Sequence, residues 1–127
     1  MEWGERSGSV RDMVFGSGVP TVGVDELKAD DFLLDVREDD EWQAGHAAGA
    51  LHIPMSEFVA RYGELTEVAP QDGRVNVVCR VGGRSAQVTQ YLVQQGLDAV
   101  NVAGGMQAWE AAGRPVVDDN GQPGSVL

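Results

Sequence analysis

One cysteine, one lysine and no apolar run of membrane-spanning length bound what this chain can be. A lone cysteine, Cys79, excludes an internal disulfide, and a thiol that stays free belongs in a reducing compartment, so the cytoplasm is the expected location. No stretch approaches the ~20 apolar residues of a membrane helix, and the start, Met1-Glu2-Trp3-Gly4-Glu5-Arg6, has no basic segment leading into an apolar one. Neither secretion nor a membrane partner is expected. Positive charge is also scarce: nine Lys and Arg against twenty Asp and Glu give a formal charge of −11, a field that repels nucleic acid and anionic membranes. With one Cys and two His there is no zinc-binding spacing, so no metal or other cofactor is expected, and His46 and His52 read as structural turn residues.

What is present is a chain of 127 residues with 43% hydrophobic content, enough for one domain with its own core. Residues 1–19 are rich in Gly and Ser without a sustained period and read as a flexible arm, in which Trp3, Met13, Val14 and Phe15 are the side chains able to dock. Residues 118–127 likewise lack a period and read as a flexible tail. Between them, apolar runs alternate with helical segments. Pro20 to Gly23 predicts a short edge strand, Val24 to Lys28 a short helix, and Phe32 to Val36 a buried strand. Asp39 to Ala44 predicts one or two helical turns stopped by Gly45, with Arg37 and Glu41 spaced four apart for an ion pair. Leu51 to Ile53 makes a brief strand closed by Pro54, and Ser56 is placed to cap a helix through Phe58, Val59, Tyr62 and Leu65. A turn at Pro70 to Gly73 precedes the strand Val75 to Val78. A helix from Ser85 puts Ala86, Val88, Thr89, Leu92 and Val93 on its inner face and ends at Gly96; the strand Ala99 to Val102 and a helix from Met106 to Ala112 follow. The pattern predicts an α/β fold with an open, mostly parallel sheet and helices on both faces, where ligands lie beyond the carboxyl ends of the strands.

Cys79 falls at such a strand end. The segment Cys79-Arg80-Val81-Gly82-Gly83-Arg84-Ser85 leaves a strand, turns through paired glycines and enters a helix, which points backbone N–H groups at the sulfur and sets two of the chain's eight arginines beside it. A lone cysteine at a strand end is most often an inert, buried small hydrophobe. Here the surrounding donors favour a thiolate: a helix N-terminus and nearby guanidinium groups bring a thiol from ~8.5 into the ~3.5–7.5 range. Arg80 and Arg84 are placed to meet the oxygens of a small anion, and the amides of Val81, Gly82, Gly83, Arg84 and Ser85 to cradle the sulfur.

Four stations in order resemble the rhodanese family: Leu34-Asp35-Val36-Arg37-Glu38; Glu41-Trp42 followed by Gly45-His46-Ala47-Ala48-Gly49-Ala50-Leu51-His52-Ile53-Pro54; the loop from Cys79 to Ser85; and Gly104-Gly105-Met106-Gln107-Ala108-Trp109 through Ala112-Gly113-Arg114-Pro115-Val116. The resemblance spans roughly residues 21–116 and assigns residues 20–117 to a single rhodanese domain. Met106 stands where the family often has a larger aromatic, a change of packing more than of chemistry. The resemblance implies a sulfurtransferase in which Cys79 takes a sulfane sulfur from a small anionic donor such as thiosulfate, becomes a persulfide, and passes the outer sulfur to a thiol, to cyanide or to a sulfur-accepting protein. Asp35, Arg37 and Glu41 then read as support for the loop, since sulfur transfer at a thiolate needs little proton transfer.

Two rivals remain. A cysteine-dependent phosphatase or arsenate reductase places Arg six positions after Cys; here that position is Ser85 and the arginine comes one earlier, at Arg84. A persulfide-relay module serving one protein partner would keep the loop but turn over poorly with thiosulfate, whereas a plain interaction domain has no need of a thiol.

Overall fold

The computed structural model describes residues 19–71 and 73–127. The arm's proposed docking side chains, Trp3, Met13, Val14 and Phe15, lie outside the described residues; Val19, its last residue, is buried in the body.

Five strands form one sheet: β1 (Thr21–Val22), β2 (Leu33–Asp35), β3 (Leu51–His52), β4 (Val75–Val78) and β5 (Ala99–Val102), ordered β1-β5-β4-β2-β3. All pairings are parallel, with Leu34 opposite Val77 and Leu51, and Val77 opposite Asn101. The helices are α1 (Asp39–Ala44), α2 (Tyr62–Val68), α3 (Gly83–Gln94) and α4 (Gly105–Ala111), with 3-10 turns at Val24–Glu26 and Met55–Glu57. Central strands covered on both faces explain the near-continuous apolar runs in β2 and β4. Alternation sorts their side chains. Leu34, Val75 and Val77 pack with Phe58, Leu65, Val88 and Leu92, while Leu33 and Val78 pack on the other side with Val22, Val102 and Met106. Leu92 is wholly buried, and truncating it to Ala would cost about 2–5 kcal/mol.

The predicted α/β sheet is thus observed, as an all-parallel one. Several local expectations change. Arg37 and Glu41 do not form the ion pair that their spacing allows: the Arg37 side chain turns back to Asp35, Nη2 to Oδ2 at 2.7 Å, and its Nη1 reaches only the Glu41 carbonyl, at 3.3 Å. Ser56 caps no helix, because its hydroxyl donates to Glu38 Oε1 at 2.7 Å and the chain stays in turns until Tyr62. Phe58 is buried but Val59 is 76% exposed. Helix α3 begins at Gly83 rather than Ser85, and its buried positions are Ser85, Val88, Thr89 and Leu92. Val93 lies about 100° further round than Leu92, which puts it at the rim, exposed.

Residues 118–127, read above as a flexible tail, return across the body and are hydrogen-bonded along the way. Val117 pairs with His46, Gly124 N–H donates to the Val116 carbonyl at 2.9 Å, and Ser125 N–H donates to the Ala44 carbonyl at 3.0 Å. Two glycines allow this approach: a Cβ at Gly45 would lie 2.7 Å from Ser125 N, and one at Gly124 would lie 2.6 Å from the Ala44 carbonyl oxygen. Backbone pairing of this kind leaves no hydrophobic period to read. Among the described residues no helix is long and apolar enough to cross a membrane.

Candidate active site

The end of β4 delivers Cys79 to the carboxyl edge of the sheet, and the loop to α3 closes over its sulfur. The closure has a specific cause. Carbonyl groups in the loop are held outward: the Cys79 carbonyl accepts from Met106 N–H at 2.8 Å, the Arg80 carbonyl from Gln107 N–H at 3.0 Å, and the Gly82 carbonyl from Asn101 Nδ2 at 3.2 Å. With the carbonyls so occupied, the amides turn inward. Gly82 N–H donates to Cys79 Sγ at 3.0 Å and the Ser85 hydroxyl lies 3.3 Å from it. Gly82 sits at φ 122°, a region that favours glycine. Gly105, at φ 53°, must also lack a side chain, because a Cβ there would fall on the Cys79 carbonyl and 2.8 Å from that of Arg80.

Cys79 is only 1% exposed, the burial expected of an inert thiol. Its neighbours distinguish it from one. Burial pushes its pKa up, but the Ser85 hydroxyl and the amides of Ser85, Gly82 and Val81 pull it down further, and the net shift is downward. Hydrogen bonds to the charged form lead this stabilisation, where the sequence pointed equally to the arginines.

The two arginines have different surroundings. Arg84 donates from Nη1 and Nη2 to the two carboxylate oxygens of Glu41, at 2.7 and 2.9 Å, and this fork binds the start of α3 to α1. The Arg84 hydrogen bond holds the Glu41 carboxyl at about 2, against burial that would raise it; the Glu38 N–H, at 3.0 Å from Oε1, helps. Arg80 is exposed and uses Nε to donate to the Leu127 carbonyl at 2.7 Å. Its Nη atoms have no protein partner among the described residues. Val81 and Gly83 line the outer side of the loop, Val81 with half its surface exposed.

Of the supporting residues read from sequence, Glu41 touches the loop through Arg84. Asp35 and Arg37 form a wholly buried pair beneath it, in which Arg37 also donates to the Gly45 carbonyl at 2.8 Å. His46 and His52 stack on Trp42, with ring centroids 3.6 and 4.5 Å away, and bond the carbonyls of Trp42 and Arg37. The described residues contain no cluster fit to hold a metal. A cavity of about 820 Å³ lies at the opposite end of the sheet, near Leu33 and Asn76, and contains no residue of the loop.

Asn101 escaped the sequence reading. It is buried on β5, its Oδ1 is 2.6 Å from the Ser85 hydroxyl, and its Nδ2 holds the Gly82 carbonyl. The available signal was an amide inside a four-residue buried strand, where a polar side chain needs a partner.

Comparison with known proteins agrees with this geometry. Residues 23–112 match the family model described as a rhodanese-like domain. The chain is 40% identical over 93 residues to the putative sulfurtransferase YtwF of Bacillus subtilis, covering 72% of this chain and 86% of that protein. It is 37% identical over 94 residues to the thiosulfate sulfurtransferase GlpE of Coxiella burnetii, covering 73% and 83%. Among solved structures, the rhodanese-related protein of Thermoplasma volcanium superposes with a TM-score of 0.67 at 34% identity, covering 76% of this chain and 96% of that one. With the match extending over β2 to β5, the Cys79 loop and the supporting helix α4, this chain belongs to the rhodanese-like domain family.

Proposed function

We propose that the protein is a sulfurtransferase that carries a sulfane sulfur on Cys79. The observation behind this reading is the pair of donors on the sulfur, Gly82 N–H at 3.0 Å and the Ser85 hydroxyl at 3.3 Å, in a loop whose Cys79, Arg80 and Gly82 carbonyls are taken up by other partners. Such a cradle favours negative charge on sulfur and needs no proton acceptor. In the first half-reaction the Cys79 thiolate attacks the outer sulfur of thiosulfate. The new S–S bond forms as the bond to the sulfonate sulfur breaks, and sulfite leaves with the electron pair. In the second, cyanide or a thiolate attacks the outer sulfur and Cys79 leaves as thiolate. Charge is conserved in both steps, which suits a site without a general base.

Arg80 is the residue best placed to meet donor oxygens, through the Nη atoms left by its Nε bond to Leu127. Arg84 serves chiefly to fix the loop against Glu41 and supplies a positive charge already balanced by that carboxylate. Asp35 and Arg37 support that anchor from behind, since Arg37 donates to the Glu41 carbonyl. Loop size disfavours the phosphatase reading, because a ring with Arg84 at its sixth position is one residue short of the phosphatase spacing. Sulfite release from thiosulfate plus cyanide, compared with hydrolysis of an aryl phosphate on the same preparation, tests the assignment. Sulfite release that vanishes in Cys79→Ser supports it; faster Cys79-dependent phosphate hydrolysis overturns it.

A further inference from the structure

Ser85 has one hydroxyl proton and two acceptors in range, Asn101 Oδ1 at 2.6 Å and Cys79 Sγ at 3.3 Å. The Asn101 amide cannot turn over to relieve the competition. Its Nδ2 donates to the Gly82 carbonyl at 3.2 Å, so a flipped amide would set two carbonyl oxygens against each other there. Asn101 therefore presents an acceptor to Ser85 in every state of the site. The arrangement is sealed: Ser85 is wholly buried, Asn101 is 8% exposed, and Thr89 donates to the Ser85 carbonyl at 2.7 Å, which fixes the residue's backbone.

We infer that Asn101 is a positioning residue for sulfur transfer, acting as the alternate acceptor that takes the Ser85 proton whenever the Cys79 sulfur is not anionic. The inference rests on Cys79 carrying the transferred sulfur. That sulfur alternates between two charge states: anionic as the thiolate, and neutral once it is the inner atom of a persulfide whose charge lies on the outer sulfur. A neutral divalent sulfur is a poor acceptor. Without Asn101, the buried hydroxyl would lose its partner at each transfer, and an unmade buried hydrogen bond costs about 1–3 kcal/mol. With Asn101, the proton swings to Sγ when the thiolate forms and back to Oδ1 when the persulfide forms. The thiolate is thereby kept less stabilised, and more nucleophilic, than if Ser85 were committed to it.

The charged groups on the elements around Cys79 are Arg80 and Arg84 of the loop and α3, Asp39, Asp40 and Glu41 of α1, Asp35 and Arg37 at the end of β2, and Glu110 of α4, which accepts from Val126 N–H; Asn101 of β5 and Met106 and Gln107 of α4 are uncharged. None of the charged groups is altered in the test, a double-mutant cycle on Asn101 and Ser85. The readout is the pH midpoint of thiolate ultraviolet absorbance, with Cys79→Ser as blank; no sulfur donor is present, so the result is separable from failure of sulfur transfer itself. Ser85→Ala should raise the midpoint by roughly one unit, the worth of a hydrogen bond to a charged group. Asn101→Ala should lower it, because the competing acceptor is gone, and should have no effect when added to Ser85→Ala. Asn101→Asp provides the opposite sign: a stronger acceptor for Ser85 and a nearby charge should raise the midpoint, and because its second oxygen would oppose the Gly82 carbonyl it is compared in the Ser85→Ala background too, where the rise should be smaller. A shift from Asn101→Ala of equal size in both backgrounds would mean that Asn101 acts only through the Gly82 carbonyl, and no shift, or an upward one, would also overturn the inference. If Asn101→Ala does not fold, an unchanged or lowered midpoint in Asn101→Asp overturns it.

Discussion

Arg84 and Glu41 lie forty-three residues apart in the chain and meet as a two-pronged ion pair, Nη1 to Oε1 at 2.7 Å and Nη2 to Oε2 at 2.9 Å. The pair makes the start of α3, and with it the Cys79 loop, mechanically continuous with α1. Glu41→Ala and Arg84→Ala should each destabilise by about 1 kcal/mol, and the double variant should lose little more than either alone. Urea melts of the four proteins check this. The Glu41 carboxyl is depressed in the folded state, from 4.5 to about 2, so its contribution is present above 4.5 and is lost as pH falls from there through 2. Wild type and Glu41→Ala should therefore converge in stability across that acid window.

Beneath the loop, the Asp35–Arg37 pair is wholly buried, and truncating either partner strands a charge. Arg37→Ala should cost about 3–5 kcal/mol, enough to show as a large drop in the denaturation midpoint. Cys79 chemistry in whatever remains folded should be weakened alongside it, because Arg37 also donates to the carbonyl of Glu41, the residue that anchors the loop through Arg84.

How far these roles were legible in the sequence varies with their physical origin. Strand β5 and the turns of α1 were readable because period and breaker residues are local, and the Cys79 loop because its glycines and arginines are contiguous. Partner choice was set by burial rather than by spacing. Arg37 had an allowed partner four residues on, but burial beside Asp35 decided the matter, and this freed Glu41 for an arginine on another helix. Asn101 was hidden because only the folded sheet brings Ser85 and Gly82 to it, and the Trp42 stack because His52 joins the local His46–Trp42 pair from β3. The return of residues 118–127 is built from backbone bonds that side-chain patterns do not encode.

Glycine positions give a paired prediction. At Gly105 a Cβ would strike the carbonyls of Cys79 and Arg80, so Gly105→Ala should displace the loop, raise the Cys79 pKa and reduce sulfur transfer by at least tenfold. At Gly63, within α2, a Cβ meets nothing within 4 Å, and Gly63→Ala should stabilise by up to about 1 kcal/mol with sulfur transfer unchanged. Thermal melts and sulfite release on both variants provide the comparison.

The depressed Cys79 pKa should set the pH dependence of the proposed first half-reaction. Persulfide formation from thiosulfate should rise with pH as the thiolate forms and level off below the pH at which an ordinary cysteine would do so. The same depression adds stability that is fully present above the unfolded thiol's pKa and is lost as pH falls through the folded one. In Ser85→Ala the plateau should move to higher pH; a rate profile that keeps the wild-type midpoint would contradict the role given to that hydroxyl.

Whether Cys79 itself receives the sulfur is tested most directly by intact mass after incubation with thiosulfate. Wild type should gain the mass of one sulfur atom, cyanide or a thiol should remove it, and Cys79→Ser should gain nothing under the same conditions. An unmodified wild type, or a sulfur gained equally by Cys79→Ser, would contradict the account.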